Sequence, residues 1–310
     1  MARPAPGARR RPVRLAGQFL AWPAGIWLLA FFVAPVALVV WYSFGRKPGL
    51  FGTHSNDVLS LDRYREALSP TFFATFRNTL WVGVFGTLIC LAVALPAAYW
   101  MAVKARPEHR GWLLAAVMIP FWTNFLVRTL GWQVILAPEG WLSRGLGAIG
   151  LTDGPLEILY TRTAVLIGVV YNYLPLMILP LFVAFDRVGE GLREASQDLG
   201  ASPVRTFTQV TLPLARPGIV AGSLLVFIPL MGDYITATVL GGAKGNMAGQ
   251  LVAAQFQTAQ NWALGSAMAV VLMATILASA VVAAAVVWLI GLPSRYRHRV
   301  VLPPPAQVIT

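Results

Sequence analysis

Apolar residues in this chain come in long blocks rather than short stripes. They run nearly unbroken over residues 19–44, 78–103, 112–136, 163–185, 217–238 and 263–292. An α-helix needs roughly 20 such residues to cross the hydrocarbon core of a bilayer. The pattern therefore predicts an all-α integral membrane protein with six transmembrane helices. The first block follows a cluster of arginines, which is also how a secretory signal begins. Such a signal has an apolar region of about 7–15 residues and a small-residue cleavage site. This block is longer and ends in bulky Val39-Val40-Trp41-Tyr42, so a retained span is expected.

The stretches between the blocks divide into two sets. Residues 45–76, with an amphipathic run at 62–68, the Gly/Pro-rich stretch 138–159 and residues 241–262 read as loops on one side. A short basic turn from Lys104 to Arg110 and the longest polar stretch, 186–216, lie on the other. The fifth block opens on Pro217-Gly218, and proline suits a first helical position, where its missing N–H has no intrahelical role. Six spans put both termini on one side. The termini and the two basic stretches hold Arg3, Arg9, Arg10, Arg11, Arg14, Lys104, Arg106, Arg110, Arg187, Arg193, Arg205, Arg216, Arg295, Arg297 and Arg299. The opposite loops hold mainly Arg46, Lys47, Arg63, Arg65, Arg144 and Lys244. Basic residues collect on the cytoplasmic side, so both termini are expected there. The chain thus divides into a basic tail (1–18), a first helix (19–44), an external loop (45–76), a five-helix body (77–292) with a cytoplasmic loop at 186–216, and a second tail (293–310), where Pro303-Pro304-Pro305 forbids helix.

Composition narrows the function. Of 310 residues, 57% are hydrophobic and only 12% charged, against about 25% charged in an ordinary soluble domain. The net charge of +12 does not point to nucleic acid, because the basic residues flank the apolar blocks. Cys90 is the single cysteine, and His54, His109 and His298 are isolated. No metal site or cofactor is expected. No G-x-x-x-x-G-K-[ST] phosphate loop occurs, and Gly241-Gly242-Ala243-Lys244-Gly245 lacks that spacing and reads as a flexible loop. No span carries a nucleophile with a base or a paired metal-binding set, which argues against a membrane enzyme.

The loop 186–216 carries the most information. Leu192, Ala195 and Leu199 share one helical face, Gly200 suits a left-handed helix end, and Ser202-Pro203 is a good start for a second helix. Val204, Phe207 and Val210 form its apolar face, with Leu212-Pro213 expected to stop it. By physics alone, the apolar face of the first helix lies back on the spans or the lipid interface, or docks on a partner protein. The same residues resemble the EAA signature of permease subunits in binding-protein-dependent ABC importers: Glu-Ala-Ala, three residues, Gly, nine residues, Ile, one residue, Leu-Pro. Here it reads Glu194-Ala195-Ser196, Gly200, Val210 and Leu212-Pro213, departing at Ser196 and Val210. The resemblance implies the type I importer permease fold, with 77–292 as its core. It implies a coupling helix in which Arg193, Glu194, Ala195, Ser196, Asp198, Leu199 and Gly200 meet a separate ATP-binding subunit, present in two copies. A second homologous permease and an extracytoplasmic substrate-binding protein are the other implied partners, beside the bilayer itself.

A narrower resemblance bears on cargo. Residues 120–128 (PFWTNFLVR), 171–180 (YNYLPLMILP) and 229–235 (PLMGDYI) are similar to permeases for spermidine and putrescine. That branch also includes importers of opines, aminophosphonates, ferric iron and thiamine-like compounds. Asp233 is the one acidic residue in or at the edge of a predicted span, and such residues mark function by default. Two roles are open for it: lining the pathway opposite a polyamine, with Trp122, Asn124, Tyr171 and Tyr173, or pairing with Arg128 to hold helices together. A secondary transporter is the main rival, and it would need more intramembrane ionisable groups than these.

Overall fold

The computed structural model describes residues 22–49, 52–152 and 154–296. The basic tail 1–18, the first residues of the 19–44 span and the end of the C-terminal tail, with Arg297 and Arg299, lie outside the described residues. The described chain is helical, with no strands among its elements and one isolated bridge between Arg46 and Ser55. The helices are α1 (Trp22–Tyr42), α2 (Asp62–Ala67), α3 (Pro70–Lys104), α4 (Pro107–Trp122), α5 (Phe125–Leu136), α6 (Trp141–Ala148) and α7 (Arg162–Asp186). There follow α8 (Glu190–Asp198), α9 (Pro203–Leu214), α10 (Arg216–Met231), α11 (Tyr234–Thr236, extended by a π turn Ala237–Gly241), α12 (Ala248–Gln257) and α13 (Trp262–Tyr296). Four helices are each long and apolar enough to cross a membrane, and six spans result if each of two bent pairs counts as one.

The core is the packing of α3, α7 and α10, filled by Val82, Cys90, Met177, Leu181, Phe185, Val226 and Leu230. Lipid tails are as apolar as these side chains, so close backbone approach and dispersion, rather than expulsion from water, hold such helices together. Gly86 sits on Leu230 and Val169, and Gly222 on Met177, where a Cβ would crowd the neighbour. Around this centre α13 packs on α12, α2 and the end of α1. The outer face of α1, with Trp27, Leu29 and Phe32, stays exposed as a lipid-facing helix requires.

Four expected boundaries change. First, α3 starts at Pro70, eight residues before the predicted span, and its 35 residues reach about 52 Å at 1.5 Å each. Its polar first turns are tolerated because Asn78 donates to the Asn246 carbonyl (2.6 Å) and Thr79 accepts from the Ala248 N–H (2.7 Å). Second, the expected straight span at 112–136 is broken: α4 meets the segment Phe125–Ala148, made of α5 and α6, at 87°. Thr123 is extended and Asn124 caps α5, its side chain accepting from the N–H groups of Leu126 (2.9 Å) and Val127 (3.3 Å). The Pro120 carbonyl, deprived of its helical partner, accepts from Thr123 Oγ1 (2.7 Å) and Arg128 Nη1 (2.9 Å). Third, Leu212-Pro213 does not stop the second loop helix. A π turn at Phe207–Thr211, closed by Leu212 N–H on the Phe207 carbonyl, widens the coil where the proline ring would clash with a regular α turn. The helix runs to Leu214 and bends 65° into α10. Fourth, the two loops 138–159 and 241–262 each contain a helix, α6 and α12.

The segment 241–245 is likewise not a flexible loop. Gly245 donates to the Gly241 carbonyl (2.8 Å), both residues are buried, and Tyr160 N–H bonds the Leu240 carbonyl (2.9 Å). From this turn α12 is pressed on the chain after α10: a Cβ at Gly249 would lie 2.6 Å from the Gly232 carbonyl oxygen. Backbone cannot yield as a side-chain tip can. Gly249→Ala is expected to destabilise the purified protein by about 1–3 kcal/mol, as overpacking does. Thermal unfolding in detergent measures it, and an unchanged midpoint contradicts this packing.

Candidate functional site

The loop at 186–216 folds as a helical hairpin held mostly by its own bonds. α8 begins after Gly189, whose φ of +58° turns the chain away from α7. It ends at Gly200, with φ of +86°, where Gly200 N–H bonds the Gln197 carbonyl (2.8 Å) and Ala201 N–H the Ser196 carbonyl (3.1 Å). These are the paired bonds of a Schellman ending, which glycine permits by reaching the left-handed region without a Cβ penalty. Ser202 then caps α9, accepting from Arg205 N–H, with Pro203 at the first helical position. Ser196, one departure from the signature, shares a hydrogen bond with Thr206 across the hairpin (3.1 Å).

The outer face of the hairpin is open. No residue of α8 is buried. Leu199 is 91% exposed, Val204 72% and Leu192 56%. Arg193, Glu194 and Asp198 belong to none of the ion pairs among the described residues. A cleft of about 650 Å³ separates α8 from the end of α3, with Lys104, Glu190, Arg193 and Glu194 on its walls. The hairpin is anchored through Phe207, whose ring meets Tyr99 at 4.9 Å and Phe185 at 6.3 Å between centroids. The hairpin thus joins an exposed face to the spans through an aromatic junction at Phe207.

The predicted pathway residues do not form one set. Asp233 is 6% exposed and serves as a helix cap. Its carboxylate accepts from Thr236 N–H (2.9 Å) and Thr236 Oγ1 (2.5 Å), while the Tyr173 hydroxyl donates to the Pro229 carbonyl (3.5 Å). It makes no ion pair with Arg128. That guanidinium lies over the Phe121 and Phe125 rings (5.4 and 5.7 Å) while bonding Pro120. Tyr173 is buried against Phe125 (6.0 Å) and Tyr171 is edge-on to Trp132 (5.4 Å). Trp122 is 82% exposed beside the break that Asn124 caps. The structure brings Asp233, Tyr173 and Arg128 to one region and leaves Trp122 on an outer surface.

Sequence reading missed the two breaks, at 123–124 and 232–233, as site features. The signal was present at both: Asn124 and Asp233 are each good cap residues, four residues beyond a proline at 120 or 229. Beside both breaks is an open cleft of about 370 Å³ between α5, α11 and α12. Tyr234, Thr238, Gln250 and Gln257 line it with aliphatic neighbours, and no charged residue does. Such a surface offers dipoles and a ring face, not a fixed charge.

Comparison with known proteins bears on all of this. Residues 71–294 match the family described as binding-protein-dependent transport system inner membrane component. The spermidine/putrescine transport system permease protein of Haemophilus influenzae is 39% identical over 251 residues, covering 80% of this chain and 87% of that protein. The protein of the same name from Escherichia coli is 35% identical over 246 residues, covering 79% and 88%. Among solved structures, a bacterial alginate ABC transporter in complex with alginate pentasaccharide-bound periplasmic protein includes a chain that aligns with a TM-score of 0.68 at 16% identity, covering 86% of this chain and 92% of that one.

Proposed function

This chain belongs to the family of binding-protein-dependent transport system inner membrane components, and from that membership we propose how it works and what it carries. It is a multi-pass inner-membrane permease subunit of an ABC importer, a transport component and not an enzyme. In the reading proposed here, residues 77–292 form the permease core and both termini lie in the cytoplasm. α8 is the coupling helix, Glu194 to Gly200 its contact strip, and each of two ATP-binding subunits receives one such hairpin. A second, homologous permease completes the pathway, and an extracytoplasmic binding protein delivers cargo. Closure of the ATPases on ATP pushes the hairpin, and the anchor at Phe207 passes the motion to α3 and α7 as a rigid-body swing.

The observation that carries this reading is the exposed apolar surface at the turn of a hairpin closed by its own backbone caps. Leu199 and Val204 stand 91% and 72% exposed on either side of that turn, and exposed apolar patches mark protein contacts. Leu199→Asp is expected to cut co-purifying ATPase about tenfold while the thermal midpoint of the isolated chain is unchanged. Retention of the ATPase at the original level removes this face from the contact.

Polyamine is the proposed cargo, supported by the names of the relatives and by the similar segments at 120–128, 171–180 and 229–235. The role of Asp233 as a cap means that it does not supply the counter-charge for such a cargo. The uncharged cleft between α5, α11 and α12 suits passage rather than tight holding, so selectivity is assigned mainly to the binding protein. Purification from native membranes in mild detergent, with partners identified by mass spectrometry, tests the assembly. An ATPase and a second signature-bearing permease are expected, with a binding protein that takes spermidine or putrescine. A binding protein with another ligand overturns the cargo alone, and a chain that moves solute without an ATPase overturns the importer mechanism.

A further inference from the structure

On the same end of the molecule as the hairpin, a notch of about 740 Å³ opens where α7 ends and α10 begins. Its walls come from four helices: Val183 on α7, Leu192 on α8, Leu214 on α9 and Ala221 on α10. Its floor is closed, because Gly218 lets α10 touch α7; a Cβ there would lie 2.3 Å from that of Ala184. The walls are apolar yet open, with Val183, Leu192 and Leu214 each between 45% and 56% exposed. Arg187 is the one charged residue of the lining. It is exposed, and it pairs with no carboxylate among the described residues.

The position of Arg187 decides what such a notch takes. It is the first residue after the α7 span, so its guanidinium stands at the level of the headgroups, and the walls from the spans, Val183 and Ala221, run from there into the bilayer. Basic pockets between spans on the cytoplasmic side suit anionic headgroups, and a long arginine reaches the interface from just such a helix end. A free phosphate ion has nothing to cover the apolar walls. We propose that this notch is a binding site for one anionic phospholipid, of the phosphatidylglycerol type, its acyl chain lying along Val183 and Ala221, its glycerol end beside Leu192 and Leu214, and its phosphate on Arg187. Two of the four walls belong to the hairpin, so the bound lipid props α8 and α9 against the spans. The site follows from membrane insertion and stands apart from the identity of the cargo.

The test uses the full chain in its purified complex, in nanodiscs containing trace phosphatidylglycerol or phosphatidylcholine with a diazirine on the acyl chain. After irradiation, cross-linked peptides are mapped by mass spectrometry. Cross-links are expected within residues 179–221, about fivefold more with phosphatidylglycerol, the order expected for one arginine near an anionic group. Arg187→Gln brings the two lipids level, and Ala221→Phe, which fills the notch from an exposed wall, lowers labelling with both. Equal labelling of the two lipids by the unaltered protein overturns the proposal, as does labelling that Arg187→Gln leaves unchanged. Labelling of the isolated chain that vanishes in the complex shows a protein partner in the notch and overturns it as well.

Discussion

Gly200→Val is expected to abolish transport and release the ATPase while the spans stay folded. The reason lies in the backbone. Gly200 holds φ at +86°, a region that costs an L-residue about 1–2 kcal/mol and a β-branched one more. Space is no obstacle: a Cβ built there meets nothing within 4 Å. Any loss therefore comes from the helix ending itself, which sets the angle between α8 and α9. Because α8 buries none of its residues, little else holds it in place once that ending opens. Gly200→Asn separates the causes, since asparagine tolerates the left-handed region; it is expected to retain most of the activity. Co-purification of the ATPase and uptake of labelled putrescine in proteoliposomes measure the effect, with circular dichroism as the control for folding. Full transport by the valine variant refutes the coupling-helix mechanism.

Asp233→Ala is expected to produce the largest loss of stability. It strands the Thr236 N–H and the Thr236 hydroxyl in a buried site, and each stranded donor costs about 1–3 kcal/mol. A marked drop in the thermal midpoint and in the yield of folded protein should follow. Asp233→Asn keeps the acceptor for Thr236 N–H while removing the charge, and it is expected to be much milder in both stability and uptake. A pathway carboxylate predicts the reverse, with uptake lost in Asp233→Asn at unchanged stability. That outcome returns Asp233 to the pathway.

The two variants probe opposite ends of one device. In the proposed mechanism the hairpin receives a push and carries it through Phe207, Tyr99 and Phe185 to α3 and α7. At the other end α7 meets the break after α10 through Tyr173 and the Pro229 carbonyl, beside the cleft of α5, α11 and α12.

Local order along the chain decided a good deal by itself. Block length alone requires helices that cross a bilayer, because a backbone in hydrocarbon has to bond within its own segment. The hairpin was legible for a similar reason. Gly200, Ser202 and Pro203 act on neighbours within a few residues, and their preferences need no distant partner. Only the tertiary structure decided the breaks and the role of Asp233. Hydropathy over some 20 residues cannot register that the Pro120 carbonyl is satisfied by Arg128, eight residues on, so that a right-angled bend replaces a straight span. Asp233 is buried because α7 packs beside α10, which brings Tyr173, 60 positions earlier, onto the Pro229 carbonyl next to it. Helix α12 likewise escaped notice because its place depends on Gly249 meeting Gly232 backbone to backbone. A carboxylate beside a pathway and a carboxylate capping a helix look alike in a sequence; they differ in whether neighbouring helices close over them, and packing alone decides that.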